Sequence, residues 1–142
     1  MISIARHVTA TTIALLVSAP AFAATTIKVT EGGEGGGPMT LVMDQTTVKA
    51  GEAVFHVHND AMSEQHEMVL VKLKSADEKI PLNTAKHRVD EKQLKSLGEV
   101  ADLKPGGDGQ LKAKLTPGTY LLLCNIKGHY EAGMQAKLTV TK

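Results

Sequence analysis

From Thr25 onward, apolar and polar residues alternate mostly with a period of two, and Gly and Pro break the alternation at short intervals. Successive side chains of an extended strand point to opposite faces, so the pattern predicts short strands separated by tight turns. The predicted strands cover residues 27–30, 39–44, 46–49, 53–59, 67–72, 110–115, 119–124 and 135–140. In the fourth, Phe55 and Val57 share one side while His56 and His58 share the other. The fifth and seventh are apolar at nearly every position, which suits strands covered on both faces. Turns fall at Ala50-Gly51, at 104–107 and at Thr116-Pro117-Gly118. The run EGGEGGGP at 31–38 reads as a flexible loop. No Gly-Lys-Ser/Thr follows it and no helix starts after Pro38, so it is no phosphate cradle.

Residues 73–104 break the alternation and carry more charge. Asp90 is placed to cap a helix over 91–97, with Gln93 three residues on, Leu94 and Leu97 on one helical face, and Gly98 as the stop. This insert is expected to lie across the edge of the sheets and protect unpaired strand groups there. These short, closely spaced strands and one short helical insert predict an all-β, antiparallel β-sandwich.

The first residues stand apart. MISIARHVTATTIALLVSAPAFAA has an early Arg6, an apolar run around 13–17 and an A-x-A site at Ala21-Phe22-Ala23. It reads as a secretory signal peptide over 1–23, followed by one domain over 24–142. The apolar run is far short of the ~20 residues a spanning helix needs, so no stable membrane insertion is expected. The chain has 16 Lys+Arg, 15 Asp+Glu and six His. Loss of Arg6 with the leader brings the balance to zero, and no basic stripe supports nucleic-acid binding. Trp is absent and Phe55 is the only Phe after the leader, so the core rests on aliphatic residues and Met. One cysteine, Cys124, sits in a chain expected in the periplasm or outside the cell. Disulfides are the usual employment of cysteine there, so an odd thiol is reactive, shared between chains, or occupied.

Its neighbours decide between these. In YLLLCNIKGHYEAGMQAKLTV (120–140), Cys124, His129 and Met134 are spaced C-x4-H-x4-M in the loop between the last two strands. Gly128 and Gly133 allow that loop to fold three side chains towards one point. Thiolate, imidazole and thioether form a soft donor set that favours copper over magnesium, calcium or manganese. A trigonal plane of one Cys and two His with a long axial Met is the blue-copper arrangement, so a second imidazole is required. His56, His58, His66 and His87 are available. His66 follows a loop at the mouth of a strand, at an end of the sandwich where the 124–134 loop can also lie. His56 and His58 sit mid-strand on the polar face, and His87 lies in the charged insert. The candidate metal ligands are therefore His66, Cys124, His129 and Met134, holding one type 1 copper ion.

These residues resemble the cupredoxins, the family of rusticyanin, plastocyanin, azurin and sulfocyanin. MTLVMDQTTVKAGEAVFHVHND is similar to the family's early strands, QHEMV to its first ligand strand and LTPGTYLLLCNIKGHYEAGM to its ligand loop. The C-x4-H-x4-M spacing is most like rusticyanin and the sulfocyanins. The resemblance implies a Greek-key sandwich and single-electron transfer rather than enzymatic turnover. It also implies transient docking near His129 with redox proteins such as cytochromes or oxidases, by a chain that works as a monomer. The related copper enzymes need further His clusters and further domains, which this chain lacks. A copper-sequestering or delivery protein would use the same four residues. Two positions depart from many relatives: Glu67 directly follows the first His, and Lys127 stands where Pro is frequent. Both concern tuning. Tyr120 is expected either as a tyrosine corner or as a plain core aromatic.

Overall fold

The computed structural model describes residues 23–142; the predicted leader and its cleavage site lie outside the described residues but for Ala23. The alternation read in the sequence is realised as extended chain along most of that length. Eleven strands run in chain order: β1 (Thr25–Gly32), β2 (Thr40–Met43), β3 (Thr47–Lys49), β4 (Gly51–Asn59), β5 (His66–Lys72), β6 (Leu82–Asn83), β7 (Arg88–Val89), β8 (Lys95–Leu103), β9 (Asp108–Leu115), β10 (Gly118–Leu123) and β11 (Gln135–Thr141). Four of them form one sheet in the order β2-β1-β4-β9, and five form a second in the order β3-β11-β10-β5-β8. β6 and β7 make a two-stranded ribbon of their own. The sheets are mixed rather than purely antiparallel, because β1 runs parallel to β4 and β3 parallel to β11. At the short turn 44–46 the chain leaves the first sheet and joins the second. β8 and β9 meet closely where the sheets approach. A Cβ on Gly109 would collide with Val100 Cγ1, so only glycine fits.

The core lies between the two main sheets. Ile27 and Val29 of β1, Phe55 and Val57 of β4, Met68 and Leu70 of β5, and Tyr120 and Leu122 of β10 all face it. The alternate residues of β5 and β10, Val69, Val71, Leu121 and Leu123, form a second cluster on the outer face of the five-stranded sheet. Ile80, Leu82, Val89 and Leu94 cover that face. The first part of the insert thus lies over a sheet face, which is why β5 and β10 are apolar at nearly every position. Its last part, β8, pairs along the edge of β5 as the sequence led one to expect.

The helix expected at 91–97 is only a 3-10 turn, Glu91–Gln93, after which Leu94 is extended and β8 begins. Asp90 makes no capping bond; its carboxylate accepts instead from Gln93 Nε2 at 2.7 Å. Leu94 and Leu97 would share one helical face, but three positions apart on extended chain they point to opposite sides. Each finds an apolar cluster there, Leu94 the outer one and Leu97 the main core. A sheet buried on both faces mimics helical spacing.

Tyr120 is a tyrosine corner. Fully buried, it donates its hydroxyl to Thr116 O at 2.9 Å and accepts from Thr116 N at 2.9 Å. These bonds brace the Thr116-Pro117-Gly118 turn that feeds β10. Tyr120→Phe is expected to cost about 1–3 kcal/mol in denaturant unfolding, since both Thr116 groups lose a partner at once. An unchanged midpoint would reduce the residue to a core aromatic.

Candidate metal centre

The centre lies at one end of the five-stranded sheet. Cys124 directly follows β10, His66 opens the adjacent antiparallel β5, and the loop from β10 to β11 brings His129 back over both. That loop is closed at its base: Cys124 N donates to Met134 O at 3.1 Å, and Met134 N to His129 O at 3.0 Å. Gly128, at φ 85°, supplies the left-handed residue that an L side chain resists. Cys124, His66 and Met134 are fully buried, and His129 is 7% exposed.

One potential ligand atom from each of His66, Cys124 and His129 lies within 4.8 Å of the others. The two Nδ1 atoms face each other at 3.3 Å, and Cys124 Sγ lies 3.4 Å from His129 Nδ1. The imidazole rings meet edge to face, with centroids 5.1 Å apart. Burial pushes the Cys124 thiol up to about 12, and the charges of Glu31 and Glu67 add to this. Backbone N–H groups of Ile126 and Glu67 act the other way, as hydrogen bonds that favour the thiolate. Burial also holds both imidazoles below the ordinary histidine range, helped at His129 by the neighbouring His66. Two neutral imidazoles and a thiol turned towards one point are poor company for one another in a dry pocket. Shared by a soft cation they become complementary, and the set suits a type 1 copper ion.

The remaining histidines among the described residues stay outside. His56 and His58 lie on the outer face of β4. His87 pairs with Glu131, its Nδ1 2.8 Å from Oε2. Met134 has its side chain buried in the same cluster as Cys124. Glu67 is half-buried, and burial together with the charges of Glu91 and Glu99 raises its carboxyl; Lys127 is exposed.

Three supporting residues went unread in the sequence. Asn59, fully buried, donates its amide to Glu64 O and Leu103 O at 2.9 Å each and accepts from Ala61 N at 2.9 Å, fixing the loop that leads into His66. Asn125, next to Cys124, accepts from Val89 N at 2.6 Å and donates to Val89 O at 3.0 Å and Glu91 Oε1 at 2.6 Å. Gly128 N donates to His87 O at 2.8 Å. The insert therefore clasps the ligand loop from outside. Glu31 is fully buried with neither carboxylate oxygen hydrogen-bonded to a protein group. Burial, reinforced by Glu67, raises it from 4.5 to about 8. Strand parity was the available signal: Glu31 continues the inward row of Ile27 and Val29, and Asn59 that of Phe55 and Val57.

The glycine run is better anchored than its composition suggests. Glu31 and Gly32 belong to β1, and Glu34 accepts from Met62 N and Ser63 Oγ, both at 2.5 Å. These bonds draw the Glu34 carboxyl below its usual range. The run forms one wall of a groove of about 380 Å³, whose other wall is Lys127, Gly128, His129 and Ala132.

The model of copper binding proteins of the plastocyanin/azurin family matches residues 27–141. Among solved structures the chain is similar to auracyanin B, with 27% identity, coverage of 87% of this chain and 94% of that one, and a TM-score of 0.59. It is similar to the reduced auracyanin of Roseiflexus castenholzii at 24% identity, with 85% and 100% coverage and a TM-score of 0.58. Reduced rusticyanin shows the same fold at 20% identity, with 84% and 82% coverage and a TM-score of 0.58. No curated protein sequence matches. With the family's pattern running through residues 27–141, and a buried His-Cys-His cluster whose donors fit copper, the chain belongs to the plastocyanin/azurin family of copper binding proteins.

Proposed function

We propose that this protein is an exported single-electron carrier in which His66, Cys124, His129 and Met134 would hold a type 1 copper ion. Members of the family are generally electron-transfer copper proteins. The observation that carries the reading is the convergence of His66 Nδ1, His129 Nδ1 and Cys124 Sγ in a buried pocket. Bound there, copper would supply single-electron chemistry, since thiolate, imidazole and thioether suit both of its common oxidation states. The chain supplies the rest. Burial of Cys124 excludes water and outside oxidants, and the Ile126 and Glu67 N–H groups hold its sulfur in place. Asn59 fixes the approach to His66.

His129 is the electron's exit, because it alone of the four lines a surface groove. Gly35–Gly37, Gly128 and Ala132 leave that groove shallow and largely uncharged apart from Lys127. Such a surface suits brief encounters with redox proteins in the periplasm, and the leader at 1–23 would send the chain there.

Two measurements test the proposal together. One equivalent of Cu(II) should give an intense thiolate-to-copper absorption band and an EPR spectrum with narrow copper hyperfine splitting. A colourless product would remove Cys124 from the site and the carrier role with it. His129→Gly should open the copper to solvent and slow self-exchange. Fast exchange in that variant would move the exit elsewhere, whereas slow exchange in the wild type would favour copper sequestration.

A further inference from the structure

We propose that the outer face of the four-stranded sheet carries a second metal site, where His56 and His58 bind one exchangeable divalent transition-metal ion through their Nε2 atoms. The two residues are i and i+2 on β4, so they project from the same face about 7 Å apart at their base. Two imidazoles at that separation can lean together onto one ion. They line a groove of about 560 Å³, larger than the one beside His129, on the sheet that contributes none of His66, Cys124 and His129.

What distinguishes the pair from two solvated side chains is the strand beside it. β9 pairs His58 with Asp108 and His56 with Gln110. Asp108 Oδ1 lies 2.9 Å from His58 Nδ1, and Gln110 Nε2 lies 2.9 Å from His56 Nδ1. A carboxylate on Nδ1 takes that nitrogen's proton as a hydrogen bond and leaves the Nε2 lone pair free, as the outer partners of metal-binding histidines do. The Gln110 amide can turn either its NH2 or its oxygen to His56. An ion at His56 Nε2 selects the oxygen, which then accepts from Nδ1–H. Both rings are thus held at Nδ1, and both residues line the groove. Asp108, 79% exposed in its side chain, acts by orienting the His58 ring.

The donors are two imidazoles and no sulfur. They suit Cu(II), Ni(II) and Zn(II). Lys28, opposite His56 on β1, is the one cationic side chain lining the groove and keeps binding weak and reversible. The chain then presents two sites of opposite character, one buried and thiolate-bearing, the other open to ions in solution.

The test is a titration of Ni(II), which imidazoles accept, into protein whose buried site is already filled with Cu(I). Histidine ring protons are followed by NMR. Resonances of His56 and His58 should broaden selectively and saturate near one equivalent, while those of His87 stay sharp. His56→Gln with His58→Gln should abolish the effect, and Asp108→Ala should weaken it about tenfold. Equal broadening at His87, broadening that never saturates, or undiminished binding by the double variant would overturn the proposal. Resonances of His66 and His129 report the buried site separately, so failure of the carrier reading would be told apart from failure of this one.

Discussion

Copper uptake by the purified domain is expected to release close to one proton per ion at neutral pH, and Cys124→Ser is expected to release none. In the copper-free pocket the Cys124 thiol is pushed up to about 12, so it is protonated throughout the neutral range. Both imidazoles are lowered by burial and carry no excess proton to give up. The displaced proton is therefore the thiol's, and apparent affinity should climb about tenfold per pH unit while the thiol remains protonated. Because only the folded chain assembles the site, the same binding stabilises the fold by roughly 4 kcal/mol at a thousandfold excess over the dissociation constant. Serine keeps the size of the side chain but offers a hard oxygen that does not ionise. The variant should fold, lose the thiolate-to-copper band, and lose most of the copper-dependent shift in melting temperature. A pH-stat titration and a melting curve check both halves. A Cys124→Ser protein that still released a proton and still gained stability would show the sulfur to be a bystander.

The second large effect belongs to Glu31. Its carboxyl rises from 4.5 in the unfolded chain to about 8 in the folded one, because no partner compensates its burial and Glu67 lies near. Between those values the folded state holds a proton that the unfolded state has lost. Stability of the copper-free protein is thus greatest below pH 4.5 as far as this group is concerned, and falls as pH rises towards 8. The span amounts to about 3–5 kcal/mol, a large fraction of a small domain's total. Glu31→Leu should flatten the decline and raise stability most at pH 9, where the wild type buries a bare charge. Urea unfolding of wild type and variant at pH 5, 7 and 9 measures it. Parallel pH profiles for the two proteins would place the carboxylate in water after all.

The convergence of His66, Cys124 and His129 was legible because its chemistry is local. Cys124, His129 and Met134 fall in one loop at fixed spacing, and His66 could be chosen as the histidine at a strand mouth. Most strand positions were legible too, since parity survives wherever one face is wet. Reading failed where the sheet is buried on both sides. There Leu94 and Leu97 look helical, and β8, which pairs with β5 through two register irregularities, shows no clean alternation. Parallel pairing of β1 with β4 could not be read either, as period two is the same in both directions. Asn59, Asn125 and Glu31 were missed for a related reason: polar residues at strand ends look like loop residues until parity is carried through to the last position.

The clasp between the insert and the ligand loop bears on rate. When an electron arrives or leaves, the charge at the centre changes by one, and an untethered loop would move to new equilibrium distances before the transfer could finish. Here the loop is tied from outside at Asn125, Gly128 and Glu131 and closed at its base by Met134. In the proposed carrier little reorganisation energy would be left to supply, so the time per turnover would be set by how long a partner takes to arrive and leave.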